Sequence, residues 1–301
     1  MGGSAHLTSA HVTSTQPQTE SNVAFEFVRS LAAELSAGKV DLPSFPEIAV
    51  RVRRVLSDPK SSIDQVVRVV GSEPALAARL VRISNSASLN RTGRSVGDLR
   101  TAINRIGYNM VRSAAIAFAM AQIRSANQLA GLEHYLKDLW QRSMTAAAFA
   151  YVLARRTSSV NPDEAMLGGM MHGIGTLYVL TRAARHPELF ADRETLEGII
   201  GDWNASIGKA ILENWDFSED MAEAIGGQDD HSREELEAPD LRDVISIAIV
   251  MAAHSTDLEQ LDEALRGLPA TRRLGLDDGK TEHVMKDCAA EISALSDALG
   301  S

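Results

Sequence analysis

The chain has 301 residues, 45% of them hydrophobic and only 5% aromatic, with a net charge of −10. That length suits one large domain or two small ones, and the Ala, Leu, Ile, Val and Met content favours helices over sheets. A single cysteine, Cys288, excludes a disulfide framework and a cysteine-based zinc site.

Residues 1–22 lack a basic start and an apolar stretch, so they read as a disordered tail rather than a signal peptide. A short apolar helix is predicted from Phe25 to Leu35, and "GKVDLPSFPE" breaks the chain after it. "EIAVRVRRVL" follows with Ile48, Val52, Val55 and Leu56 at helical spacing. Ser62 and Gln65 form a capping box for the next helix. In "GSEPALAARLVRI", Ser72 is the expected cap, Pro74 sits in the first turn, and Leu76, Leu80 and Ile83 share one face. "SNSASLNRTGRSVGD" reads as a polar loop, and a long helix is predicted from about Leu99 to Ile123.

Further helices are predicted near 133–156, 164–183, 193–213, 218–226, 240–254, 258–266 and 281–299. Asn161, Pro162 and Glu164 open the 164–183 helix as cap, first-turn proline and third-position acid. Its uncharged run, Ala165 to Thr181, is short for a membrane span and fits a buried helix, which places the protein in the cytoplasm. With no alternating strand and no phosphate-cradling glycine loop, the expected fold is all-α.

These segments carry a resemblance. "LPSFPEIAVRV" at 42–52, "SDPKSSIDQVVRVVGSEPALAARLVRISNSA" at 57–87, "AINRIG" at 102–107 and the later "LGGMMHGIGTLYVL" resemble the HDOD domain, the HD-related output domain of bacteria. The resemblance covers about residues 40–255. It implies a helical N-terminal lobe followed by an HD-domain-like helical lobe; with the charge and helix readings this gives a basic N-terminal lobe over 23–127, the HD-like lobe over 128–255 and, outside the match, a helical extension over 256–301. It also implies a non-enzymatic signalling or regulatory role.

An active HD hydrolase needs imidazole and carboxylate ligands converging on a metal that activates water. Aligned by local context, the first ligand histidine of that pattern falls on Arg142, which cannot ligate a cation. His172 keeps the histidine of the His-Asp pair, but Gly173 stands for its aspartate. Asn204 falls at the next histidine, Gln228 and Asp229 at a further pair, and Ala252 or Ala253 at the last aspartate. No metal and no cofactor are therefore expected. His172 reads as a neutral core residue, and Gly168, Gly169, Gly173 and Gly175 as points of close helix approach. The alternative is a nucleotide- or anion-sensing pocket on Arg142 and His172. A metal-dependent phosphohydrolase is a third reading. "QDDHSREELEAPD" at 228–240 reads as a solvated loop.

Charge is uneven. Residues 42–127 carry a net +8 and the rest of the chain −18. The basic residues read either as a solvated or internally paired surface or as a site for an acidic protein partner, with signalling components as the expected partners; the candidate contacts are Arg79 and Arg82 on one helix flank and Arg91 and Arg94 in the following loop. "TAINRIGYNMVRSA" is only faintly like a helix-turn-helix. Scarce lysine, no interleaved aromatics and overall acidity disfavour nucleic acid.

Overall fold

A computed structural model describes residues 16–40, 46–86, 90, 93–124, 131–157, 159–215, 217–232, 238–276 and, beyond these, 280–282, 284–286, 289, 292 and 293. Every regular element among them is helical, as the apolar spacing predicts. In chain order they are α1 (Gln16–Ser36), α2 (Glu47–Ser57), α3 (Ile63–Gly71), α4 (Pro74–Ser84), α5 (Leu99–Arg124), α6 (Glu133–Arg156), α7 (Pro162–Met171) and α8 (Ile174–Ala183). A 3-10 turn at Pro187–Phe190 leads to α9 (Arg193–Asn214), α10 (Glu219–Gly226), α11 (Leu241–Ala253), α12 (Leu258–Leu265) and α13 (Pro269–Arg273).

Local chemistry sets most boundaries. Ser62 and Gln65 make the reciprocal capping box of α3, and Asn161 accepts from the Asp163 amide ahead of Pro162 at the start of α7. Ser72 does not cap α4 as expected. It closes α3 instead, donating its hydroxyl to the Val69 carbonyl, and Glu73 stands at the α4 cap position. Helix α5 is broken at Gly107, whose φ of 76° and ψ of 165° only glycine adopts without strain. The polar loop after α4 is pinned by Asn85, which donates to the Val96 carbonyl and accepts from its amide, both at 2.8 Å. Arg105 adds bonds to the carbonyls of Ser84 and Arg94.

Three departures from the sequence reading matter. Helix α1 begins at Gln16, inside the segment read as tail; residues 1–15 lie outside the described set. It packs against the second lobe rather than the first, through Phe27 on His186 and through Tyr178, which donates to the Glu34 carboxylate. Burial and that bond push the Tyr178 hydroxyl up to about 12, against the opposing pull of Arg182. The third departure is the 164–183 helix. It is two helices, α7 and α8, divided at His172 and Gly173.

A continuous apolar core runs from Phe27 through Val52, Leu80 and Met110 into Met166, Met171, Ile211 and Ile245, so the two lobes share one interior. A second cluster joins Phe149, Leu153, Val244 and Met251 to Leu261, Leu265 and Leu276 of the C-terminal extension. The extension is also held by a bidentate ion pair, Arg273 to Asp243, with both side chains only 3% exposed. The expected lobe boundary near 125–132 falls between α5 and α6, where 125–130 are not described.

Candidate functional site

The glycines bring the backbones of the second lobe together. A Cβ on Gly169 would lie 2.7 Å from the Ala147 Cα, so α7 meets α6 at backbone contact. A Cβ on Gly175 would lie 2.1 Å from the Asn204 carbonyl oxygen, so α8 meets α9 the same way. On Gly168 it would meet the Ile245 Cδ1 at 2.3 Å, against α11. With α7 fixed to α6 and α8 fixed to α9, the chain turns between them at His172.

That turn leaves backbone groups without helical partners, and a buried carbonyl or amide left so is costly. The His172 carbonyl accepts from Asn204 Nδ2 at 3.0 Å and from Gln228 Nε2 at 3.1 Å. Gly173, at the cap position of α8, has no side chain with which to cap it. Asn204 does so from α9: its Oδ1 accepts from the Thr176 amide at 2.8 Å and from the Thr176 hydroxyl at 3.0 Å. Gln228 is 2% exposed, and its Oε1 makes no hydrogen bond among the described residues. These two amides are committed to the scaffold.

His172 is half-buried. Its Nδ1 lies 2.7 Å from the Gly169 carbonyl, which can only accept, so Nδ1 carries the proton and Nε2 is a bare lone pair. Desolvation lowers its pKa and the nearby Arg142 guanidinium lowers it further, while the Gly169 bond opposes them. The ring is neutral at neutral pH.

A cleft of about 340 Å³ opens beside this ring, lined by Arg142, His172, Gly173, Thr176 and Asn204, with Leu139, Leu196 and Ile200 as its apolar wall. Arg142, His172, Gly173 and Asn204 therefore line one cleft. Gln228 adjoins them through the His172 carbonyl without lining the cleft, and Asp229 is exposed and also outside the lining. Sequence reasoning missed Thr176, Leu139 and the Arg193–Glu197 pair (2.7 Å) at the rim. The pair's i,i+4 spacing was the available signal.

The donors present do not fit a divalent metal. At the former ligand positions that converge, one imidazole nitrogen, a guanidinium and an amide engaged with backbone fall short of the usual three or four ligands, and His134, Asp138 and Glu197 elsewhere in the lining do not gather with His172 into a metal-sized group. Among the described residues no three His, Cys, Asp or Glu side chains gather into a metal-sized group.

The basic segment differs from its expected form at one position. Arg79 is buried at 6% exposure on α4, so it is no part of an exposed flank. Arg82 and Arg94 are exposed, and Arg91 lies outside the described residues. No helix among the described residues is long and apolar enough to cross a membrane.

The HDOD domain family matches residues 42–231. An uncharacterized protein of Treponema pallidum (strain Nichols) is 24% identical over 212 residues; the match takes in 65% of this chain and only 39% of that protein. Among solved structures, a candidate metal-dependent phosphohydrolase of Shewanella amazonensis SB2B is similar at a TM-score of 0.73 and 28% identity, over 92% of this chain and 99% of that one. An HDOD domain protein of unknown function from Geobacter sulfurreducens is similar at a TM-score of 0.62 and 20% identity, over 91% and 98% of the two chains. The helical layout is common to all of these structures, and the family match extends over more than half of the residues: the chain belongs to the HDOD domain family.

Proposed function

We propose that this protein is a non-catalytic regulator that works through contacts with signalling proteins. The observation that carries this reading is the use made of positions 204 and 228. Where the HD pattern has ligand histidines, this chain has amides, and both donate to the His172 carbonyl. Hydrolysis would need those positions for a metal, and here they hold a helix break together. The Shewanella relative is described as a candidate metal-dependent phosphohydrolase, but that chemistry does not transfer to a donor set of this kind.

The partner-facing surface on this reading is the basic lobe around the end of α4, with Arg82 and Arg94 exposed. Arg105 holds the Arg94 carbonyl and Asn85 holds Val96, so the backbone on both sides of the Arg94 side chain is tied to the lobe. Such charge steers an acidic partner chiefly through the association rate. The test is capture of partners from the native host by the wild-type chain and by an Arg82→Glu, Arg94→Glu variant, with each captured protein then purified and its association measured at two salt concentrations. The expected result is an acidic signalling protein whose association slows about tenfold or more with the variant at low salt. A partner bound equally by both chains would move the interface elsewhere.

A further inference from the structure

We infer that the cleft beside His172 receives a small organic ligand bearing one anionic group, and that Arg142 supplies the positive charge there. This goes beyond the protein-contact role and does not depend on it.

Three features specify the ligand. The first is charge. Arg142 makes no ion pair or hydrogen bond with any described residue, whereas Arg193 at the other rim is held by Glu197 at 2.7 Å and also feels Asp138. The lining charges balance, Arg142 and Arg193 against Asp138 and Glu197, but Arg142 is the cation that no ion pair among the described residues occupies, and a planar guanidinium suits a carboxylate or a phosphate monoester. The two rim carboxylates repel a second or third phosphate. The second feature is hydrogen bonding. His172 is locked with Nδ1 on the Gly169 carbonyl, so it offers Nε2 to the cleft as an acceptor. A ligand is favoured if it places an O–H or N–H next to its anionic group. The third is shape. About 340 Å³ lies at the small end of the roughly 300–1,000 Å³ typical of ligand sites. Leu139, Leu196 and Ile200 give it an apolar wall for a flat or aliphatic body.

Asn204 and Thr176 line the same cleft but spend their polar atoms on one another and on the His172 carbonyl. They shape the floor, and specificity falls to Arg142 and His172.

The experiment is calorimetric titration of the full chain with four probes: adenosine 5′-monophosphate, salicylate, adenosine triphosphate and inorganic phosphate. Adenosine 5′-monophosphate and salicylate separate the phosphate and carboxylate sources. One of these two should bind, with the triphosphate and bare phosphate at least about tenfold weaker. Arg142→Gln should weaken the bound probe about tenfold or more. Its melting temperature should not move, because Arg142 is exposed. His172→Leu serves as a second variant and should lose affinity for salicylate or the monophosphate without loss of fold. Saturable binding of neither adenosine 5′-monophosphate nor salicylate at millimolar concentration overturns the inference. So does binding that Arg142→Gln leaves unchanged, or a triphosphate that binds more tightly than the monophosphate.

Discussion

Asn204 caps helix α8 from another helix. Its Oδ1 holds the Thr176 amide at 2.8 Å, at the third position of α8, while its Nδ2 holds the His172 carbonyl at 3.0 Å. One side chain thus closes both sides of the break that the glycine at 173 leaves uncapped. Asn204→Ala removes every bond of this set. It should cost about 2 kcal/mol, because the cap on the Thr176 amide is lost and the His172 carbonyl keeps only its Gln228 bond. Gln228→Met should cost less, about 1 kcal/mol, because it also removes the Oε1 that has no partner among the described residues. Urea unfolding of the two variants checks the order; equal costs would mean that Gln228 is as important to the break as Asn204.

Gly175→Ala should be among the most damaging single-methyl changes in the molecule. The new carbon would lie 2.1 Å from a backbone oxygen, and backbone cannot swing away as a side-chain tip can. Overpacking of this kind costs about 3 kcal/mol. The Cβ of Gly173→Asp would crowd the Leu139 Cδ1, at 2.5 Å, and touch the Ser143 Oγ at an ordinary 3.5 Å, and a leucine tip can move. Its cost should come instead from a buried carboxylate, about 1–3 kcal/mol, with no gain of metal binding. Thermal melts of the two variants, with and without added manganese, test both statements.

Arg79 and Arg82 sit three residues apart and should behave oppositely. Arg82→Glu changes an exposed position and should move stability by about 0.5 kcal/mol. Arg79→Glu puts a carboxylate where a 6%-exposed guanidinium sits and should cost about 3 kcal/mol or more. Chemical denaturation of the single variants separates them.

His172 should make the fold acid-sensitive. Its folded pKa lies below the ordinary 6.5, so between those two values the unfolded chain binds the proton and the folded chain does not. Stability therefore falls as pH drops below about 6.5 and levels off once the folded ring is protonated. The raised carboxyls of Asp163 and Asp229 act in the opposite sense at lower pH. Comparing His172→Gln with wild type cancels them: the variant should lose the part of the slope that lies between pH 6.5 and the folded pKa of His172. An identical slope in both chains would place a charged or solvated ring at 172.

What the sequence made legible was what local rules govern. Caps such as Ser62 with Gln65 and Asn161 with Pro162 stand within three residues of the groups they satisfy. The ends of α6 and α9 followed from apolar spacing for the same reason. The break at His172 was not legible. No proline marks it, and the groups that hold it come from Asn204 and Gln228, 32 and 56 residues away. The burial of Arg79 was hidden likewise, because spacing shows which residues share a flank and not which helix packs over it. Convergence of Arg142, His172, Gly173 and Asn204 was readable only through the family pattern. The use of Asn204 as a cap, and the exclusion of Asp229, needed the fold.

On the proposed reading the former ligand positions serve the scaffold and carry no metal chemistry. The direct measurement is elemental analysis of the dialysed, tag-free chain together with a hydrolysis assay on cyclic dinucleotides and nucleoside phosphates, with manganese, magnesium or iron added, for wild type and His172→Ala. The predicted result is no stoichiometric metal and no turnover that distinguishes the two chains. About one tightly held transition-metal ion per chain, with turnover that His172→Ala abolishes, would contradict it.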